Sequence, residues 1–298
     1  MQNNAFSIIN ESIEKTKGRL FPFNFREWMK LGLVSMLGTP YSASQGASFN
    51  YHNKGNIVGS AVAEGFSQAL PLLMPLMIIL PLAAAILAVY FSSLFYFIMF
   101  DSVNKEKTEI RKSYEKVKHQ AMSLFNFRIW IGISILLLIG LAMLAIYLLL
   151  SYSDIMGLMI SILLLSIPLF LAIFAIALIA LFADNVLVPY SYIKRMKIGK
   201  SWNNLKPLVR KNWAEILLYL FMVSVIDVVI VSAEAVIGLI ILLPFFFLLL
   251  ALLILAPIIG ILLSIIFVSI VCYILSVLAL PLSVFKINYM ALFISNFK

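Results

Sequence analysis

Asp227 and Glu234 stand seven positions apart inside a hydrophobic run. An ionised Asp at the centre of a bilayer helix costs roughly 2.5–3.5 kcal/mol, so such residues normally face a partner, a water-filled cavity or a transport path. On a helix their spacing puts both acids on one face, about 10 Å apart along the axis. Two such carboxylates suit a cation or proton site, or a handle for a cationic solute. The structural alternative is that Glu234 ends a helix while Asp227 is protonated or hydrogen-bonded to Ser224 or to another span. Asp101 and Asp184 each follow an apolar run, in Phe100-Asp101 and Phe182-Ala183-Asp184. They read as solvated helix ends or as a cytoplasmic gate closing onto Lys17, Lys118 and Lys206.

Catalytic signatures are missing. His52 and His119 lie far apart without the spacing of a metal site. HExxH, GxSxG, the phosphate-loop pattern and the dinucleotide fingerprint are all absent. No catalytic residue, metal or cofactor is therefore expected, although scattered carboxylates of a membrane enzyme would show no short motif. Cys272, the single cysteine, sits in an apolar run and reads as a small buried residue that forms no intrachain disulfide.

The elements that position these residues belong in a membrane. The 298 residues are 63% hydrophobic and 12% charged, with a mean hydropathy of +1.06, which no water-soluble core of ordinary proportions absorbs. The runs 70–100, 129–150, 158–182 and 216–285 meet or exceed the roughly 20 apolar residues that cross about 30 Å of hydrocarbon. Without the alternation of a membrane barrel, the expected fold is all-α and polytopic. The polar first twenty residues lack the apolar centre of a secretory signal.

The net charge of +9 is carried in blocks, at 15–30, 105–128 and 194–211. Between the last two lies the connection 151–157, which has no Lys or Arg. That alternation is the positive-inside pattern, so the blocks face the cytoplasm. No nucleic-acid-binding motif accompanies the charge, and nucleic acid is not an expected partner. Anionic lipid headgroups are, each nearby basic residue contributing about 1 kcal/mol. The candidate headgroup contacts are Lys17, Arg26, Lys118, Arg128, Lys206 and Lys211.

One phrase recurs three times: Ser12 to Lys17 with Trp28, Ser113 to Lys118 with Trp130, and Ser201 to Lys206 with Trp213. Each copy reads as an amphipathic helix on the cytoplasmic surface, followed by a Trp at headgroup level and a span. Asn24, Asn126 and Asn212 are expected N-caps, with Asn24–Glu27 and Asn212–Glu215 spaced as capping boxes. A single membrane domain, 1–298, then divides into units 1–104, 105–197 and 198–298. The expected count is about six crossings with both termini cytoplasmic. The first outward crossing, Trp28 to Leu37, is short, and 38–67 reads as an external loop. Pro168 is expected to kink its span, and Pro244, Pro257 and Pro281 to break the over-long third unit.

The phrases Leu20-Phe-Pro-Phe-Asn-Phe-Arg-Glu-Trp-Met-Lys-Leu31, Asp184-Asn-Val-Leu-Val-Pro-Tyr190 and Ser201-Trp-Asn-Asn-Leu-Lys-Pro-Leu-Val-Arg-Lys-Asn-Trp213 carry a resemblance. They look like a group of uncharacterised archaeal and bacterial multi-pass membrane proteins. That group in turn resembles the membrane domain attached to some glycerophosphodiester phosphodiesterases. The resemblance spans most of the chain and implies a helical membrane domain without an established activity. The phosphodiesterase catalytic domain is absent from this chain, so that activity does not carry over.

The expected function is non-enzymatic: binding or translocating a lipid or small solute between the helical repeats. The alternatives are a structural or accessory protein acting through its basic interfacial helices, and a lipid-modifying enzyme using Asp101, Asp184 or Asp227.

Overall fold

The computed structural model describes residues 7–38, 60–105, 108–152, 155–255 and 257–296. Among them every regular element is a helix: α1 Ile8–Leu20, α2 Phe25–Gly38, α3 Ser60–Val103, α4 Ile110–Tyr152, α5 Ile155–Phe182, α6 Val188–Lys194, α7 Ile198–Lys211, α8 Trp213–Leu255, α9 Pro257–Leu278 and α10 Leu280–Asn296. A π-helical turn, Ala183–Leu187, joins α5 to α6.

Helices α3, α4 and α8 run for 44, 43 and 43 residues, about 65 Å each at 1.5 Å per residue. That is about twice the roughly 30 Å thickness of a hydrocarbon core. Each divides into an exposed apolar arm and a packed end. In α4, Val117, Ala121 and Leu124 are buried, whereas Leu136, Leu137, Leu141 and Leu144 are exposed. In α3 the order is reversed, from exposed Ile79, Leu80 and Leu82 to buried Phe97 and Phe100. Among the described residues four helices are long and apolar enough to cross a membrane, or up to five if the pair Leu263–Leu278 and Leu280–Asn296, bent by 56°, is one span.

The packed end is organised around α10. Its Leu280, Val284, Ile287, Tyr289, Met290 and Phe293 are buried, and it packs against α1, α2, α3, α6, α8 and α9. Tyr219 of α8 stacks on Phe293 at 4.0 Å and on Tyr289 at 5.7 Å. Along α1, Ile8, Ser12, Thr16 and Leu20 recur at four-residue steps, so one face is buried, and Asn288 of α10 donates to Thr16 Oγ1 at 3.1 Å. Ser113 and Ser201, at the matching places of the recurring phrase, are fully buried too.

Helix α2 lies between α9 and α3. Two glycines allow the approach: a Cβ on Gly32 would meet Val277 Cγ2 at 2.3 Å, and one on Gly38 would meet the Phe95 carbonyl carbon at 2.7 Å. The 14 residues of α2 rise only about 21 Å. The expected first crossing, Trp28 to Leu37, falls in this helix, which is not among those long enough to cross.

Several expected boundaries differ. Asn126 starts no helix, because α4 runs through it without a break; one Asn costs a helix interior only a few tenths of a kcal/mol. Helix α8 continues through Pro244 without the expected break, and Pro168 lies inside α5. Pro257 and Pro281 fall where proline fits best, in the first turns of α9 and α10. Of the expected loop 38–67, Ser60 onward is already helical and 39–59 lie outside the described residues, with His52 among them. Asn24 does cap α2, accepting from the Arg26 and Glu27 amides at 3.1 and 3.3 Å. The other half of that capping box is not made: Glu27 accepts from the Thr108 amide at 2.8 Å.

Candidate functional site

The π-helical turn sets the geometry of the packed end. Wider than an α-turn, it shifts the register of backbone hydrogen bonds and leaves carbonyls to outside donors. The Asp184 carbonyl accepts from the Tyr96 hydroxyl of α3 at 2.9 Å, and the Asn185 carbonyl from the Tyr219 hydroxyl of α8 at 2.6 Å. The Asp184 carboxylate meets Arg128 of α4 at 2.8 Å. The same guanidinium donates to Ser92 and Ser93, each at 3.2 Å, and lies 5.8 Å from the Tyr96 ring centre. Arg128, expected at lipid headgroups, is thus drawn inward to a carboxylate, with its side chain only 15% exposed.

Asp101, fully buried near the end of α3, forms a second ionic cluster. Its carboxylate accepts from Ser113 at 2.6 Å, Lys116 at 2.6 Å, Tyr192 at 3.0 Å and also Lys105. One acid thereby joins α3, α4 and α6. Neither Asp101 nor Asp184 is paired with Lys17, Lys118 or Lys206, the partners expected for a gate. Lys118 is paired with Glu115 on its own helix.

Asp227 also has a specific partner, Lys286 of α10, at 2.6 Å. Ser224 instead donates to the Leu220 carbonyl. Glu234 is half-buried on the arm of α8 and has no ion-pair partner among the described residues. Lys286, the only Lys or Arg between Trp213 and Lys298, reads in the sequence as a mark of the cytoplasmic side, and its pairing with an acid was not foreseen. A lone base in an apolar run calls for a counter-charge as much as a lone acid does.

A third cluster ties the first two helices to the α3–α4 connection. Arg19 donates to the Ser102 carbonyl and to Thr108 Oγ1, at 3.1 and 2.9 Å. Its guanidinium also lies 3.7 Å from Glu27, which meets Lys30 at 3.1 Å. Burial by itself would raise the Glu27 pKa. The Thr108 amide and the Lys30 ammonium outweigh it and hold the group below its ordinary value.

On the outer surface Lys17, Arg26, Lys118, Lys206 and Lys211 are exposed, as are Trp130, Trp202 and Trp213. A cavity of about 390 Å³ opens between α4 and the α6–α7 turn, lined by Lys116, His119, Gln120, Tyr192, Arg195 and Lys197 over apolar Val117, Ile193 and Met196. Among the described residues no group of three or more His, Cys, Asp or Glu side chains is placed to hold a metal ion.

Among the described residues these features define an all-helical protein with four or five helices suited to crossing a membrane, their packed ends tied together by ion pairs to the carboxylates of Asp101 and Asp184. Over residues 3–298 the chain matches DUF7544, a family of unknown function, and it belongs to that family. No curated protein and no solved structure matches it.

Proposed function

We propose that the protein is a multi-pass membrane protein that binds anionic lipid at its basic end and catalyses no reaction of its own. The carrying observation is how the charges are distributed. Asp101, Asp184 and Asp227 are each already paired with a base, while Lys17, Arg26, Lys206 and Lys211 remain on the surface without an ion-pair partner among the described residues. Internal pairing leaves no carboxylate of the three poised as a proton carrier. The exposed cations, with three exposed Trp side chains, suit a headgroup layer.

In this reading the basic end faces the cytoplasm, six crossings fall into three units, and lipid is held where units meet. A second reading, the accessory protein, draws on the two described cavities, neither of which reaches Asp227. Purification with native lipids followed by mass spectrometry separates the two. Reproducible enrichment of anionic lipid over the bulk membrane supports lipid binding; co-purified lipid of bulk composition overturns it.

A further inference from the structure

The turn between α6 and α7 is built in an unusual way. The Met196 amide donates to the Ser191 carbonyl at 3.0 Å and the Arg195 amide to the Tyr192 carbonyl at 3.2 Å, the two bonds that close a Schellman motif. The residue at its left-handed position is Arg195, with φ 52° and ψ 43°. That position is usually glycine, because a Cβ is disfavoured there. An arginine at this point aims its side chain from a rigid corner. Ser191 Oγ donates to the Met196 carbonyl, Gln120 to the Ser191 carbonyl at 3.2 Å, and Ser123 Oγ accepts from the Ile198 amide at 3.1 Å. The corner is therefore fixed on α4 from both sides.

The cavity beside it has an excess of positive charge. Lys116, His119, Arg195 and Lys197 line it and no carboxylate does. Among the described residues Arg195 and Lys197 have no ion-pair partner. Lys116 is anchored by Asp101, which also takes Lys105, so one acid serves two bases and a cation is left over. The N-terminus of α7 begins at Ile198 and adds the positive end of its dipole. Val117, Ile193 and Met196 add apolar surface to the same lining. At about 390 Å³ the space exceeds a bare phosphate and lies at the lower end of small-molecule sites.

We propose that this groove binds a phosphate ester, with the guanidinium of Arg195 and the ammonium of Lys197 on its oxygens and Lys116 behind them. An arginine fork meets two phosphate oxygens at once, and the lysines add point charges. The apolar part of the lining takes the alcohol part of the ester. The assignment deepens the lipid-binding reading and rests on it for the source of the ester, which is a glycerophospholipid headgroup or a soluble phosphate monoester.

The test uses the full chain in phosphatidylcholine nanodiscs with and without phosphatidic acid, and separately with glycerol 3-phosphate. Bound lipid is counted by native mass spectrometry and soluble binding is read by calorimetry. The variant is Arg195→Gly with Lys197→Gln, which places glycine where the backbone favours it and so preserves the fold. Loss of about tenfold in phosphatidic acid affinity, without binding of glycerol 3-phosphate to the wild type, assigns the groove to a lipid headgroup. The same loss for glycerol 3-phosphate assigns it to a soluble ester. Equal binding by variant and wild type overturns the groove. If Lys17→Gln with Lys206→Gln and Lys211→Gln then reduces lipid retention, the broader lipid reading stands without it. If the wild type holds neither ligand above phosphatidylcholine, both fall.

Discussion

Asp101→Asn removes one charge from a site where four donors converge on a fully buried carboxylate. Asparagine keeps the shape and one acceptor oxygen but points an NH2 group at neighbours that are themselves donors. Each hydrogen bond to a charged group contributes roughly 1.5–3 kcal/mol net. Lys105 and Lys116, with side chains 35% and 38% exposed, can turn to water, so their share is discounted. Ser113 and Tyr192 have less freedom, and the net loss comes to about 2–3 kcal/mol. In detergent-solubilised protein of this length that corresponds to a melting midpoint lower by roughly 3–5 °C. Glu109→Gln is the control, since its pair with Lys112 is solvent-exposed and should barely move the midpoint. Tyr192→Phe, harmful alone, should add little in the Asp101→Asn background, because the two remove the same bond. If Asp101→Asn melts together with Glu109→Gln, the carboxylate does not tie α3, α4 and α6 together, and the reasoning is refuted.

Three further outcomes are expected. Asp227→Asn leaves Lys286, only 13% exposed, without its counter-charge and lowers stability by ~2 kcal/mol, discounted for the 39% exposure of Asp227. Asp227→Leu with Lys286→Met should recover most of that loss; a double variant no better than the single would return Asp227 to the role of an ion site. Gly38→Ala should destabilise by roughly 1–3 kcal/mol, because its Cβ would press on the backbone of α3, whereas Gly18→Ala, with open space around it, should gain about 0.5–1 kcal/mol. The reverse order in thermal melts would contradict the packing of α2. The depressed pKa of Glu27 means that its stabilisation is complete above the ordinary glutamate range and is lost as pH falls through the folded value. Melting curves of wild type and Glu27→Gln should therefore converge on acidification below about pH 4; a gap that stays constant would place the effect elsewhere.

Composition and the missing barrel alternation settled the all-helical class, since the long runs cannot fold into an ordinary soluble core and, without a barrel, bury their backbone polar groups only within helices. Local pattern also located the Asn24 cap, whereas the burial of the recurring Ser12, Ser113 and Ser201 came only with the structure. The cap depends on neighbours within a turn or two. The partners of the acids do not: Asp101 with Tyr192, Arg128 with Asp184 and Asp227 with Lys286 are separated by 91, 56 and 59 positions. Their choice follows from how α3, α4, α8 and α10 cross, which no spacing rule encodes. A gate between Asp101 and the recurring lysines was a natural expectation from charge and position, but the packing brings Lys105 and Lys116 there first. Even the basic groove owes its form to tertiary structure. Arg195 reads in the sequence as one more residue of a basic block, and only the left-handed corner closing α6 turns it toward a cavity.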